Sequence, residues 1–290
     1  MILPQNHKLK NGKYTICDHW RTGGYGVIYK AKDRDLNNEI VAIKTLRQDV
    51  SPQQYKENLE RLKRERDTLN RLLGHANIVK YYEYFEEEKV HYLVMEFLDG
   101  KNLSELLQQK GKLKYCFVFD YIYQIGLALK YMHDKDLVHR DIQPKNIMIE
   151  KTKVKNRAVL IDFGIVKYRY LITNEHPSIQ NFTHHEQKGG IFNKKLDVYG
   201  LAACLYNALT NEFPTDSGER VRRQRRGEQD LKPPRTHNRS IRQDVNDVIL
   251  KGMDLELENV PSIEKWLNQL PKPLHWRWQQ LVNWLHNFFR

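Results

Sequence analysis

Cysteine is scarce in this sequence, with three residues among 290. Cys17, Cys116 and Cys204 lie far apart and show none of the close spacings by which cysteines bind a metal ion. The sequence therefore excludes a cysteine-based metal module, and it predicts buried thiols in a reducing compartment.

Long apolar runs are also missing. No stretch approaches the ~20 apolar residues that cross a bilayer as a helix, and the N-terminal segment MILPQNHKLKNGKY has no apolar signal region. We find no internal repeat and no low-complexity linker. With 40% hydrophobic and 29% charged residues, the composition is typical of a soluble globular protein, so we expect a cytoplasmic location.

Two short polar motifs are present instead. Residues 139–146 read HRDIQPKN, and Asp-Phe-Gly follows at 162–164, with apolar strand-like runs on both sides of the interval. An Asp, a nearby Asn and a second Asp beyond a hairpin are the residue types that phosphoryl transfer needs as base and metal ligands. The two motifs resemble the catalytic loop and the magnesium loop of eukaryotic-type protein kinases, in particular bacterial, cyanobacterial-like serine/threonine kinases.

The upstream elements of this family occur in the expected order. A Gly-rich turn at 23–26 leads into an alternating, strand-like segment at 27–31. The segment IVAIK at 40–44 matches the strand that carries the family's lysine. Leucines at helical spacing, including Leu73, predict an amphipathic helix at 58–73.

Within that helix, Glu65 stands where the family places the glutamate that pairs with the lysine. Two further strands are predicted at 77–79 and 92–97, and a turn at 98–100 marks the expected hinge between lobes. An apolar helix at 196–209 matches the central helix of the large lobe, with Asp197 expected to bind the catalytic-loop backbone. The last helix is predicted at 258–267.

The resemblance implies an α+β, two-lobed protein kinase fold. The catalytic domain would cover residues 12–270, with a small, β-rich N-lobe at 12–97 and a larger, helical C-lobe at 98–270. Residues 271–290 would add an aromatic, basic C-terminal helix.

The resemblance also assigns the reacting groups. Lys44, oriented by Glu65, would hold the α- and β-phosphates of ATP. Asp162 and Asn146 would hold the Mg²⁺ ions that bridge the phosphates, and Asp141 would accept or orient the proton of the substrate hydroxyl. Protein substrates and ATP are therefore the expected partners.

A further set of residues is expected to contact the nucleotide: Gly23, Gly24, Gly26, Ile28, Ala42, Met95, Glu96, Leu98 and Met148. The glycines would let backbone amides approach the phosphates. By the resemblance, Ile28 and Ala42 would cover one side of adenine and Met148 the other. Met95 would limit the depth of the pocket, and the backbone of Glu96 and Leu98 would bind the edge of the base.

Several positions depart from the family pattern. Arg21 replaces the first glycine of the Gly-rich loop. Gln143 replaces a lysine that neutralises the transferring phosphate, and Ile179 replaces the threonine that this lysine contacts. Residues 183–186 (THHE) replace Ala-Pro-Glu, and Val260 replaces the arginine that pairs with that glutamate.

These departures leave two functions open. Removing one preorganised donor to a developing charge costs about a hundred- to a thousandfold in rate, whereas losing the base or a metal ligand would cost more, and those residues are retained. We favour an active serine/threonine kinase, slowed by Gln143, which we count among its catalytic residues. The alternative is a nucleotide-binding pseudokinase that acts as a regulatory or scaffold module.

Two features lie outside the motifs. Residues 220–226 (RVRRQRR) carry five arginines in a chain of formal net charge +12, which fits a solvated loop or a docking patch for acidic substrates or nucleic acid. No RNA-binding motif accompanies the run, so no specific nucleic acid is expected. The C-terminal helix would pack on the C-lobe or contact a membrane surface or partner through 274–290.

Overall fold

The computed structural model of the protein describes residues 2–23, 26–152, 155–168, 180–186 and 192–272. The chain divides into two compact units, of which the first comprises Met1–Asp99 and Asp162–Ile165. The second comprises Gly100–Ile161 and Val166–Arg290. Gly24, Ile179 and the predicted C-terminal helix after Lys272 lie outside the described residues.

The first unit is built on one antiparallel sheet of six strands in the order β1-β2-β3-β4-β6-β5. The strands are β1 Lys8–Leu9, β2 Tyr14–Thr22, β3 Gly26–Asp33, β4 Glu39–Leu46, β5 Tyr81–Glu87 and β6 Val90–Glu96. Every second residue of the central strands is apolar and buried in one cluster, which includes Tyr29, Ile43 and Val94. This period of two places the cluster on one face of the sheet.

Helix α1 (Pro52–Arg71) also belongs to the first unit. The Ser51 hydroxyl accepts a hydrogen bond from the Gln54 amide at 3.2 Å, and Pro52 fits the first turn because no helical N–H is needed there. The helix therefore begins earlier than the predicted residue 58. It ends at Arg71, which leaves Leu73 49% exposed, contrary to its predicted place on the apolar side.

The second unit contains two small sheets, ordered β10-β9-β7 and β11-β8, together with seven helices among the described residues. Its strands are β7 Gly100–Asn102, β8 Leu137–Val138, β9 Ile147–Glu150, β10 Arg157–Leu160 and β11 Lys167–Tyr168. Its helices are α2 Leu103–Lys110, α3 Tyr115–Asp134, α4 Lys195–Thr210, α5 Ser217–Arg225, α6 Pro234–His237, α7 Gln243–Gly252 and α8 Ile263–Gln269. An N-terminal antiparallel sheet followed by a mostly helical region confirms the predicted α+β class. Across the described ranges, no helix has the length and apolarity needed to cross a membrane.

Helix α4 forms the core of the second unit. Every residue from Leu196 to Thr210 is buried, as expected for the apolar run at 196–209. A Cβ atom on Gly200 would come within 2.9 Å of the Ile142 carbonyl oxygen. Glycine at this position therefore allows α4 to approach the loop that contains the 139–146 motif.

Three local predictions are wrong. Asn77 lies in a turn and Ile78 forms an isolated bridge, and the strand begins only at Tyr81. The last described helix starts at Ile263 rather than 258, because the Ser262 side chain caps it by accepting from the Lys265 amide. Cys116 is exposed rather than buried, since it lies in the first turn of α3 ahead of the buried face that begins at Val118.

The arginine-rich run is helical rather than a loop. Arg220 is 6% exposed, and its guanidinium donates to Asp230 Oδ2 at 2.9 Å and to the Met253 carbonyl at 2.6 Å. Three other arginines pair with acidic neighbours: Arg222, Arg223 and Arg226 with Glu219, and Arg226 also with Glu228. Most of the positive charge of the run is thus matched by nearby carboxylates.

Candidate active site

Lys44 lies on β4, on the face of the sheet opposite the core cluster. The strand register places Ile28 opposite Lys44 and Met95 opposite Ala42. Because residues 42 and 44 share one face of β4, four predicted site residues lie on the same side of the sheet. Ala42 and Met95 are buried there, and Ile28 is half-buried.

Helix α1 brings Glu65 to Lys44. Lys44 Nζ donates to Glu65 Oε2 at 2.6 Å, and the Glu65 side chain is 2% exposed. Burial alone would lower the pKa of Lys44, but the charges of Glu65 and Asp162 and the hydrogen bond to Glu65 raise it above its ordinary value. Burial raises the pKa of Glu65, and the Lys44 charge opposes that rise. Lys44 is therefore positively charged at neutral pH.

Asp162 lies beside this pair. Its Oδ1 atom is 4.0 Å from Lys44 Nζ and accepts a hydrogen bond from the Gly164 amide at 3.3 Å. The Asp162 backbone has φ 66°, in the left-handed region that non-glycine residues seldom adopt. The next residue, Phe163, is fully buried, whereas the Asp162 side chain is 41% exposed. The backbone turn thus leaves the carboxylate accessible to a cation.

The Gly-rich turn joins β2 to β3. Gly23 N–H donates to the Gly26 carbonyl at 2.8 Å. A Cβ atom on Gly26 would run into the carbonyl oxygen of Thr45, whereas one on Gly23 would meet nothing closer than 3.8 Å. Glycine is therefore required at position 26 because the backbone packs closely against β4. The approach of phosphate to this glycine stays a prediction. Gly24 lies outside the described residues.

Three further residues were predicted to contact the base. The N–H group of Glu96 donates to the Lys80 carbonyl at 2.9 Å, and Leu98 is 7% exposed. In the second unit, Met148 is buried on β9, where its register partners are Val159 and Asn102. Their contact with a nucleotide stays a prediction.

The second unit brings Asp141, Gln143 and Asn146 together. Gln143 Nε2 donates to Asp141 Oδ1. Asn146 Nδ2 donates to Asp141 Oδ2 at 2.8 Å and to the Asp141 carbonyl at 2.9 Å. Because the NH₂ group of Asn146 faces Asp141, its carbonyl oxygen is the side-chain atom left to bind a metal ion.

Gln143 is fully buried. A carboxylate accepts hydrogen bonds, so the Asp141 contact orients the amide with its NH₂ group toward Asp141. The opposite atom, Gln143 Oε1, is buried and meets no hydrogen-bond partner among the described residues. Gln143 thus donates a neutral hydrogen bond to Asp141. The kinases that the sequence resembles have a lysine at position 143.

Asp197 of α4 supports the backbone of this loop. The side chain is fully buried. Its Oδ1 accepts from the Arg140 amide at 2.8 Å, and its Oδ2 accepts from the His139 amide at 2.9 Å. His133 Nε2 lies 2.8 Å from the same Oδ2 atom. The backbone contacts were predicted, but His133 was missed, because a single histidine in a buried helical face carries no distinguishing pattern.

The residues that depart from the family pattern lie in several elements of the structure. Arg21 lies in β2 opposite Ile28, and Val260 is buried. His184, His185 and Glu186 are described, and no described cation pairs with the Glu186 carboxylate. Ile179, the predicted neighbour of position 143, lies outside the described residues.

The sequence matches one protein family. Residues 21–270 match the protein kinase domain. The chain is 32% identical over 255 residues to a probable serine/threonine-protein kinase of Clostridium acetobutylicum, covering 86% of this chain and 38% of that protein. It is also 32% identical to PrkC of Bacillus subtilis over 83% of this chain and 37% of that kinase. The corresponding values for PknB of Mycobacterium tuberculosis are 30%, 85% and 40%. The chain thus spans about two fifths of the length of these relatives.

Proposed function

Because the chain belongs to the protein kinase family, we propose that residues 12–270 form a catalytic domain that transfers the γ-phosphate of ATP to serine or threonine hydroxyls of proteins. Membership confirms the resemblance drawn from the motifs. It implies serine/threonine kinase activity, protein substrates, ATP and a divalent metal. The N-lobe at 12–97, the C-lobe at 98–270 and the roles of individual residues remain part of the proposal.

One observation carries the proposal. Lys44 is bonded to Glu65 at 2.6 Å and lies 4.0 Å from Asp162. A buried carboxylate thus holds the ammonium group beside a second, exposed carboxylate. Phosphoryl transfer from a nucleotide needs this combination, since a lysine must hold phosphate oxygens next to the ligand of the bridging metal.

The residues present fit Mg²⁺. Asp162 offers an exposed carboxylate and Asn146 an amide oxygen, which are the hard oxygen ligands that Mg²⁺ prefers. We propose that these two side chains hold the ion, whose charge would neutralise the phosphate oxygens during transfer.

The side chains of the second unit would act on the substrate hydroxyl. Asp141 would orient this hydroxyl and accept its proton as the oxygen attacks the γ-phosphorus and the bond to ADP breaks. Asn146 and Gln143 donate to the two carboxylate oxygens and so fix the direction in which Asp141 faces. Gln143 would add no positive charge near the phosphate, and we expect a correspondingly slow enzyme.

The test is phosphate transfer from radiolabelled ATP with Mg²⁺ to a generic protein substrate, followed by phosphoamino acid analysis. We expect phosphoserine and phosphothreonine with the unmodified protein and none with Asp141→Asn. Asp247→Asn, an exposed position on α7, is the matched control and should leave transfer unchanged.

A parallel measurement separates binding from catalysis. ATP with Mg²⁺ should raise the Tm of the protein, because a ligand of the native state stabilises it, and Asp162→Ala should remove the Mg²⁺-dependent part. Thermal stabilisation without phosphate transfer would favour the pseudokinase alternative. A Tm that does not respond to millimolar ATP would rule out both functions.

A further inference from the structure

His184, His185 and Glu186 form a cluster of metal-binding side chains in the second unit. One donor atom from each residue lies within 4.8 Å of the donor atoms of the other two. His184 is buried, and the other two side chains are half-buried. None of the three has a role in the proposed phosphoryl transfer.

The segment that carries the cluster is held in place by the rest of the second unit. The Ser217 hydroxyl donates to the Thr183 carbonyl at 2.8 Å, and the Asn181 side chain donates to the Pro214 carbonyl at 2.7 Å. The His184 ring packs edge-on against Tyr199 of α4 with the centroids 5.1 Å apart. The backbone that carries the three side chains is thus fixed to the rest of the second unit.

The hydrogen bonds of His184 select the nitrogen that could bind a metal. Its Nε2 lies 3.0 Å from the Leu255 carbonyl, which can only accept, so Nε2 carries the proton. Nδ1 therefore holds the lone pair, and within the described ranges it accepts one hydrogen bond, 3.3 Å from the Glu186 amide, which a metal ion would have to displace. An imidazole that donates its other N–H to a backbone carbonyl is the usual arrangement of a metal-binding histidine.

His185 and Glu186 each have a potential donor atom that makes no hydrogen bond to a described residue. His185 Nδ1 is buried and makes no hydrogen bond there, which costs about 1–3 kcal/mol for an unsatisfied polar group. The carboxylate of Glu186 is likewise without a described partner. Arg220, whose charge also acts on His184, is paired with Asp230 at 2.8 Å and so adds little net positive charge.

We infer that His184, His185 and Glu186 bind a divalent transition-metal ion of the zinc class. Two imidazoles and one carboxylate form a ligand set that binds Zn²⁺ in preference to Mg²⁺. The fourth position of a tetrahedral site would remain for water. Ligands of a tetrahedral zinc ion lie ~3.4 Å apart. The half-buried side chains of His185 and Glu186 would close the remaining distance by rotation. The ion would fix this segment to α4 and to the chain around Leu255. This inference does not depend on the proposed kinase activity.

The test is equilibrium dialysis of the full chain with Zn²⁺ in the absence of nucleotide, with bound metal measured by mass spectrometry. We expect one ion per chain, at least tenfold weaker binding for His185→Ala and for the isosteric Glu186→Gln, and a Zn²⁺-dependent rise in Tm that both variants lose. His75→Ala, a half-buried histidine of the first unit, is the matched control and should bind as the unmodified protein does.

Co²⁺ substitution gives a second readout that does not depend on the stability of a variant. A site of two histidines and a carboxylate should show visible d–d absorption without a thiolate charge-transfer band, since no cysteine takes part. Failure of the unmodified protein to bind Zn²⁺, a thiolate band with Co²⁺, or an affinity for Zn²⁺ that neither variant changes would each overturn the inference. None of these results would affect phosphate transfer, which is measured with Mg²⁺ alone.

Discussion

The two units hold their candidate site residues in different ways. In the first unit, Lys44 and Glu65 come from a strand and a helix 21 residues apart and meet through one side-chain contact. In the second unit, Asp141, Gln143 and Asn146 lie in one short loop and bind one another. The second arrangement is set locally, whereas the first depends on where α1 lies against the sheet.

The supports of the two arrangements differ as well. The loop backbone is bonded to Asp197, a fully buried residue of a fully buried helix. Glu65 is held by the packing of Leu62 and Leu69 on the inner face of α1. A small rotation or shift of α1 would separate Glu65 from Lys44, because a single side-chain contact joins the two residues. We therefore expect the Lys44–Glu65 contact to be more sensitive to a shift of the backbone than the contacts of the loop.

Breaking the support of the second unit should have the largest effect. In Asp197→Asn, an NH₂ group would face one of the amides of His139 and Arg140, which leaves a buried donor unpaired. We expect a loss of about 3 kcal/mol in the free energy of unfolding, together with faster hydrogen exchange in residues 139–146. Urea denaturation and exchange mass spectrometry measure the two effects. Asp244→Asn, an exposed residue paired with Arg242, should change neither.

Breaking the contact in the first unit should lower the rate of phosphate transfer. Glu65→Gln keeps the shape of the side chain but removes the charge that holds Lys44, so the ammonium would turn toward Asp162. We expect single-turnover transfer to fall about a hundredfold, or roughly 2.7 kcal/mol. Glu60→Gln, on the exposed face of the same helix, serves as control. An equal loss of rate in both variants would contradict a specific role for Glu65.

A change at Gln143 sharpens the comparison within the loop. Gln143→Lys would keep a donor on Asp141 and add positive charge near the transferring phosphate, so we expect about a tenfold gain in single-turnover rate, or roughly 1.4 kcal/mol. Adding Ile179→Thr should raise the rate further and non-additively, since the two side chains are expected to touch. Gln224→Lys adds the same charge at an exposed position of the second unit. If neither Gln143→Lys nor the double variant raised the single-turnover rate, Gln143 would not limit the rate.

The smallest expected effect concerns the sheet that carries Lys44. Glu83 accepts from Lys13 at 2.8 Å and also binds Lys10 and Tyr14. Burial alone would raise the pKa of Glu83, but these hydrogen bonds lower it to about 2, from 4.5. The stabilisation of the folded state by the Glu83 carboxylate is therefore complete above pH 4.5, and it is lost as the pH falls toward 2.

For Glu83→Gln we expect a loss of about 1 kcal/mol at pH 7, because the group is partly exposed to solvent. The difference from the unmodified protein should shrink between pH 5 and pH 3 in urea denaturation. Glu39→Gln, at an exposed position of β4, is the control. A difference that stays constant with pH would show that the carboxylate charge is not responsible.

Features that depend on neighbouring residues were easier to predict from the sequence than features that depend on distant residues. The HRD and DFG motifs are each contiguous in the sequence, so Asp141, Asn146 and Asp162 stand out. The apolar, β-branched segment IVAIK likewise identified the strand that carries Lys44. The start of α1 was missed because it depends on Ser51 and Pro52 ahead of the leucine pattern. The burial of Arg220 was missed because it depends on Asp230 and Met253, which no local pattern relates to it.

The bond between Asp197 and the loop has a thermal consequence. The acceptor belongs to a helix that is buried along its length from Leu196 to Thr210, so the loop cannot loosen on warming unless the hydrophobic interior of the second unit also opens. Heating should then disorder the loop only together with the cooperative melting of that interior, without a preceding range in which the second unit stays folded but the loop has lost its geometry. The temperature at which the loop loses its geometry would be set by the packing of α4 rather than by the polar residues of the loop.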